Sequence, residues 1–409
     1  MYILIDFKPF AKELPSNGDL FCEDFFHALF RNHPEHIFYL WTTGEDILQK
    51  KDRFEDYSNV RRVHTAIEPE RLYRLVRFLQ YPYIDDLVET LAMKNGHLPW
   101  VAKFDAIFYS TPFPTLFEDD CFHVQYTNHL KPLHYSELYT KKSLHYHSKK
   151  WYMKNIISAD LNIVPSEFAK KEILEMGGDS DNFLISGIGI TKKINKYIPH
   201  EENIQNHLQE NNSLNDIEDA YGEKNQWDQL PKKFFFAQGD IHSLPIVIKA
   251  FELFRVRFPE EEWILIIEEP FIGSLSTLGQ WYKVEILPPL EIKHKELLLS
   301  KCFGFIEPSL YEPTGKKVLE AMRCGAPIIS SNHGALPEIC PNNTLFFDPL
   351  SFSDLFQQMK KLYKDTLLHK NLSEKGILES HLEKFSWDDI TITIIKEITR
   401  RLEKREFEE

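Results

Sequence analysis

Cysteine is scarce in this chain, with five residues in 409, at Cys22, Cys121, Cys302, Cys324 and Cys340. An odd, scattered set without C-x-x-C spacing suggests neither a disulfide framework nor a cysteine-based zinc site. Positive charge is also in deficit. Forty-eight Lys and Arg against 62 Asp and Glu leave a net charge of −14, which argues against a nucleic-acid partner, because a phosphate backbone selects clustered cations. No run of about 18 apolar residues occurs, so no bilayer span is expected. The opening string MYILIDFKPF has no basic start, no long apolar centre and no small-residue cleavage site, so no secretory leader is expected. The expected compartment is the cytosol.

What is present is an alternation of short β-branched or aromatic runs with longer amphipathic ones. Strands are expected at 2–7, 36–41, 106–111, 123–127, 161–165 and 183–186, with helices such as 20–31, 70–79 and 142–157 between them. This alternation predicts an α/β protein with parallel sheets and helices on both faces. The rhythm breaks at 199–232, where HEENIQNHLQENNSLNDIEDAYGEKNQWDQLP is polar, acidic and rich in Asn and Gln, as in a linker or surface insertion. A second series follows, with strands expected at 234–237, 263–267, 283–287, 304–307, 327–330 and 344–347, a helix at 244–258 and a last amphipathic helix from 387. The expected organisation is an N-terminal doubly wound domain (1–198), the polar segment (199–232), a second doubly wound domain (233–386) and a C-terminal helix (387–409). Ligands of such sheets sit at the carboxyl ends of the strands.

The chemistry is densest in IEPSLYEPTGKKVLEAMRCGAPIISSNHGALPEI, residues 306–339. A strand ends at Glu307, and a loop carries Glu312 to Gly315. Thr314 is placed to cap a helix running from about Gly315 to Cys324, which Gly325 ends in the left-handed conformation and Pro327 keeps from continuing. A glycine loop feeding a helix N-terminus offers backbone N–H groups and the positive end of the helix dipole, an anion site suited to a diphosphate. Glu312 before the helix and Glu320 a turn and a half along it are placed to accept hydrogen bonds from hydroxyls at two ends of one ligand. The alternative for Glu320 is a solvated helix face.

This string resembles the donor-site signature of the retaining glycosyltransferases of family 4, which have the GT-B fold of two facing Rossmann-like domains. The resemblance rests on Glu312 and Glu320 at their seven-residue separation, on Gly315, Ala321, Met322, Gly325 and Pro327, and on Gly334, Pro337 and Glu338. The family's usual Gly-Phe after the first Glu is Pro313-Thr314 here. The resemblance implies that Glu312 contacts the donor sugar, that Glu320 holds the ribose hydroxyls of a nucleotide, and that N–H groups near Gly315 and Lys316 face sugar or phosphate. Weaker matches lie elsewhere. Tyr126 to Tyr135 (YTNHLKPLHY) resembles the loop where the family sets a histidine against the donor sugar, and His129 takes that place, with Leu130 where Asp is usual. His134 is a lesser candidate. Ser166 and Glu167 read first as a helix cap, and Trp387 as packing.

Two departures from the family matter. Where the family carries Arg and Lys to neutralise the diphosphate, this chain reads Gln238-Gly239-Asp240-Ile241-His242. Asp240 stands near the Arg position and His242 near the Lys position, with Gly239 beside them at the phosphate loop. Two unit charges ~4 Å apart at an effective dielectric of ~20 are worth several kcal/mol, so an aspartate there opposes a diphosphate. Lys316 and Lys317 are candidate substitutes; their alternative is a solvent-facing first turn. A protonated His242 is another. The second departure is the segment KELPSNGD at 12–19, where only Gly18 remains of the family's glycine-rich loop.

The expected activity is therefore transfer of a hexose from a nucleotide-sugar donor to a saccharide or lipid-linked acceptor. The resemblance implies retention of configuration and neither cofactor nor metal, and it points to surface polysaccharide or lipopolysaccharide assembly by a mannosyltransferase-like member. No Asp-x-Asp stands where the other main transferase fold holds its divalent ion. A basic segment with interleaved aromatics, KKSLHYHSKKWYMK at 141–154, is a candidate for peripheral contact with anionic lipid, or a solvated helix face. The competing readings are a GT-B-like binding or partner subunit that has lost activity, with Asp240 as its support, and a GT-B enzyme of another kind such as a sugar-nucleotide epimerase.

Overall fold

The structure is a computed structural model and describes residues 1–6, 20–43, 54, 56–65, 104–110, 121–128, 130–134, 153, 156–192, 194–195, 230–269 and 283–408. The polar segment around 199–229, the loop at 12–19, the helix expected at 70–79, His129 and nearly all of 141–154 lie outside the described residues. The chain divides into two compact units, Met1–Thr191 with Glu383–Glu409, and Lys192–Leu382.

In the first unit the described order is β1 (Tyr2–Asp6), α1 (Leu20–Asn32), β2 (Ile37–Thr43), β3 (Val60–Thr65), β4 (Ala106–Tyr109), β5 (Phe122–Tyr126), α2 (Lys131–His134), β6 (Leu161–Val164), α3 (Glu167–Glu175) and β7 (Phe183–Ile185). The strands form one parallel sheet in the order β3-β2-β1-β4-β5-β6-β7. Its central strands are buried because both faces are covered: all of Ala106–Tyr109 and Leu161–Val164 are buried, Asn162 included. The β3 strand is the exception, since its alternating VRRVHT pairs at an edge beyond β2. Ser166 caps α3 by accepting the Ala169 N–H at 3.1 Å, as its sequence position suggested.

The second unit contains β8 (Lys233–Gln238), α4 (Leu244–Arg257), β9 (Trp263–Glu268), β10 (Val284–Leu287), α5 (Ile292–Lys301), β11 (Gly304–Glu307), α6 (Lys316–Arg323), β12 (Ile328–Ser331), α7 (Leu336–Ile339), β13 (Thr344–Phe347), α8 (Phe352–Lys364) and α9 (Thr366–Ser380). Its parallel sheet runs β10-β9-β8-β11-β12-β13. The core beneath it is aromatic: Phe235 stacks on Trp263 with centroids 5.2 Å apart, and Phe254 meets both edge-on. The strand order reverses between β8 and β11, so the two crossovers leave in opposite directions and a crevice opens outside the carboxyl ends of these two strands. Those ends are Gln238 and Glu307.

The last helix, α10 (Trp387–Glu408), belongs to the first unit. Arg31 pairs with Asp388, the Asn32 amide donates to the Asp388 carboxylate at 3.0 Å, and Arg401 donates to the carbonyls of Asp160 and Asp181. Trp387 is a packing residue: its ring lies edge-on to Phe25 and fills the space where Gly189 has no Cβ. No described helix is long and apolar enough to cross a membrane.

Candidate functional site

The loop between β11 and α6 is fixed by its own acid. Glu312 Oε1 accepts the N–H of Thr314 (3.0 Å), the hydroxyl of Thr314 (2.6 Å) and the N–H of Gly315 (3.0 Å). The carboxylate is thus the cap of this turn, a correction to the expected role of Thr314, whose hydroxyl donates to Glu312 and as an acceptor meets the Lys316 N–H at a long 3.4 Å. Gly315 occupies the N-cap position at φ 66°, and a Cβ there would lie 2.4 Å from Ile339 Cδ1. Both the dihedral and the space require glycine. The helix closes as a Schellman motif, with Gly325 N–H to Met322 C=O at 2.9 Å and Ala326 N–H to Ala321 C=O at 3.0 Å.

The separated halves of the sequence signature lock one another. Gly334, at φ 66°, lies so close to Glu312 that an added Cβ would stand 2.5 Å from its carbonyl oxygen, and the N–H of Ala335 donates to that same oxygen at 2.8 Å. In return Ile339, at the end of α7, closes over Gly315. Motifs about 20 residues apart fit together here because each closes the space that the other's glycine leaves.

Around this loop the acids and lysines are paired. Glu307 is fully buried at the end of β11, accepts the Ser309 N–H at 3.0 Å and lies 3.2 Å from the ammonium of Lys317. Burial drives the Glu307 carboxyl upward, opposed by Lys317 and reinforced by Glu312. Burial alone would lower the Lys317 ammonium, but Glu307, then Glu312 and Asp240, hold it well above the usual lysine range. A third of the Lys317 side chain stays exposed; its charged end lies among the three carboxylates. Burial also acts to raise Glu312, yet the Lys317 charge and the Thr314 and Gly315 donors outweigh it and keep this carboxylate below the usual range. Lys316 reaches Glu320, whose carboxylate is almost wholly buried, at 3.7 Å. Neither lysine is the solvent-facing residue that the alternative expectation described.

At the neighbouring strand end, Asp240 is an internal cap. Its Oδ1 accepts the N–H groups of His242 and Ser243, both at 3.0 Å, and its Oδ2 accepts that of Leu310 at 3.4 Å. The aspartate expected to oppose a phosphate is therefore tied to the start of α4 and faced by Lys317. His242 is exposed. Gly239 is buried, and a Cβ on it would lie 2.7 Å from Pro308 Cγ, so its lack of a side chain is demanded by the proline that follows β11, the strand paired beside β8. One strand further out, Gln238 donates to Glu268, which also accepts the Leu290 N–H at 2.9 Å and faces Lys295 at 3.8 Å.

The structure thus places Gly239, His242, Thr314, Gly315, Lys316, Lys317, Glu312 and Glu320 at and just beyond the carboxyl ends of β8 and β11 in the second unit. His134, in the first unit, pairs with Glu172 at 2.8 Å. Glu307 and Glu268 were missed by sequence reasoning. Their signal was an acid ending an otherwise apolar strand (GFIE and WILIIE), where a buried charge is tolerated only with a partner.

Comparison with known proteins bears on the second unit's family and on the fold. Residues 246–378, from α4 into α9, match the family described as Glycosyl transferases group 1. The serotype-specific mannosyltransferase WbdA of Escherichia coli is 35% identical over 106 residues, covering 26% of this chain and 13% of that protein. The O-antigen chain mannosyltransferase B of Escherichia coli is 31% identical over 91 residues, covering 22% of this chain and 23% of its own length. The matched segment is thus about an eighth to a quarter of these relatives. Among solved structures, Anabaena HepE in complex with UDP-glucose is similar at a TM-score of 0.62 and 14% identity over 98% of this chain and 100% of that one. Residues 246–378 thus match the glycosyl transferases group 1 model, in a chain of two parallel-sheet units with the fold of GT-B glycosyltransferases.

Proposed function

We propose that this chain transfers a hexose, with retention of configuration, from a nucleotide-sugar donor to an acceptor hydroxyl in the assembly of a surface polysaccharide or lipopolysaccharide, as a family 4 enzyme that needs no metal for the reaction. The observation that carries the reading is the start of α6 at the sheet's switch point, where Glu312 is held ionised and locked by Gly334 while Glu320 stands buried on the next turn. The Glu312 carboxylate has one oxygen fully committed to the loop; the other is available for a sugar hydroxyl. Glu320 serves the ribose hydroxyls once Lys316 swings from it toward phosphate. Lys317 supplies the positive charge that the family's Arg and Lys supply elsewhere, and the raised carboxyl of Glu307 can take up a proton when a diphosphate draws Lys317 away. Positioning and charge stabilisation at the departing nucleotide dominate such a transfer. The mannosyltransferase names of the matched relatives and the UDP-glucose bound in HepE support a nucleotide-sugar donor.

One observation favours a second reading, a binding or partner subunit without turnover: Lys317, the cation offered to the phosphate, is already held by three acids. Incubation with UDP-, GDP- and ADP-hexoses separates the two. The transferase reading expects release of nucleoside diphosphate from one donor, reduced at least ~100-fold in Glu312→Ala. Binding without release from any donor would establish the subunit reading instead.

A further inference from the structure

Away from this site, the first unit carries a histidine cluster in the turn between α1 and β2, Asn32-His33-Pro34-Glu35-His36. The turn is fastened at both ends. The side-chain amide of Asn59 donates to the carbonyls of Phe30 and His33, at 3.1 and 3.0 Å, and the His36 N–H closes onto the His33 carbonyl at 3.2 Å. Ile37 then enters β2 in register with Tyr2. The two imidazoles are parallel, 4° apart in plane with centroids separated by 5.9 Å, and both are largely buried, whereas Glu35 is more than half exposed.

We propose that His33, Glu35 and His36 form a binding site for a borderline divalent transition metal, zinc above all, which pins the α1–β2 turn. The argument is one of spacing. His33 Nδ1 and His36 Nε2 stand 3.2 and 3.5 Å from Glu35 Oε1, and one ligand atom from each residue lies within 4.8 Å of the others. Ligand atoms around a tetrahedral zinc with bonds of ~2.0–2.2 Å are separated by ~3.3–3.6 Å, close to the spacing that Glu35 Oε1 keeps to each imidazole, while the two imidazole nitrogens lie within 4.8 Å of each other, so side-chain shifts alone bring the three atoms around one ion. Two imidazoles and a carboxylate are ligands of the right hardness for zinc. The exposed side of Glu35 leaves the fourth position to water. The cluster lies at the amino ends of β1 and β2, opposite the edge where such sheets bind substrates, so the ion is structural.

The test uses the full-length, untagged chain, stripped with a chelator and titrated with zinc, and with cobalt(II) as a visible-absorption probe. The proposal expects one equivalent bound, the intense absorption of tetrahedral cobalt, and a melting temperature that rises with zinc. Glu35→Gln should weaken binding at least tenfold and His36→Gln should abolish it, while His381→Gln, an exposed histidine of the other unit, leaves it unchanged. Glu35→Gln alters an exposed side chain and leaves the fold intact, so its result stands even if His36→Gln misfolds. Absence of stoichiometric zinc binding, or equal affinity in wild type and Glu35→Gln, would overturn the proposal.

Discussion

Replacing Lys317 with methionine removes the positive charge that, among the described residues, pairs with the fully buried Glu307. At 3.2 Å and an effective dielectric of ~20, the direct attraction is about 5 kcal/mol, but the variant need not lose that much, because Glu307 can escape by protonation. Holding a carboxyl of usual value 4.5 protonated at pH 7 costs ~1.36 kcal/mol for each pH unit above that value, or ~3.4 kcal/mol. Partial exposure of Lys317 lowers the figure further, so the expected loss at pH 7 is ~2–3 kcal/mol. The sign of its pH dependence follows from linkage. The folded variant keeps a proton that the folded wild type releases only above its raised Glu307 value, so the deficit is absent below that point and grows by ~1.36 kcal/mol per unit as pH rises past it. Urea denaturation of wild type, Lys317→Met and Lys317→Met/Glu307→Gln at pH 5 to 8 measures it. The double variant should recover most of the loss, since a buried amide carries no charge to strand. A pH-independent deficit, or no recovery in the double variant, would refute the assignment of Lys317 as the partner of Glu307.

Two further predictions concern other parts of the chain. Gly334→Ala drives a Cβ into the backbone of Glu312 at a left-handed position and should destabilise the second unit by more than ~2 kcal/mol; thermal denaturation of Gly334→Ala beside Gly376→Ala, where a Cβ finds ordinary contact distances, checks it. Glu397 is held at about 2 by hydrogen bonds from Arg400 and then Arg401. After allowance for solvent screening of this surface cluster, Glu397→Gln should cost ~1 kcal/mol at neutral pH, a difference present above about pH 4.5 and lost as pH falls toward 2, read from acid-denaturation curves.

The sheet units were legible because their strands are buried on both faces and read as short continuous apolar runs, Phe234 to Ala237 being the plainest case. Strand β3 was not legible, since Arg61 and Arg62 interrupt its apolar residues and only pairing beyond β2 makes it a strand. The loop of Glu312 was visible as a motif, while its mutual clamp was not. That Ile339 closes over Gly315 and Gly334 over Glu312 depends on chain crossings no local pattern encodes. Asp240 shows the same limit from the other side. Its charge suggested repulsion of a phosphate, but its acceptors are spent on the backbone of His242, Ser243 and Leu310, a use that depends on where the next strand's loop passes. Gly239 reads as a phosphate-loop glycine until Pro308 is seen against it.

The central claim is that the crevice at the start of α6 holds a nucleoside-diphosphate sugar between Glu312 and Glu320. Calorimetric titration of the full chain and of Glu320→Gln with UDP-, GDP- and ADP-hexoses tests it most directly. The account predicts saturable binding of one of these donors, weakened at least tenfold in Glu320→Gln by loss of charge-assisted hydrogen bonds to the ribose. Wild-type chain that binds none of them, or a Glu320→Gln variant that binds as well as wild type, would contradict it.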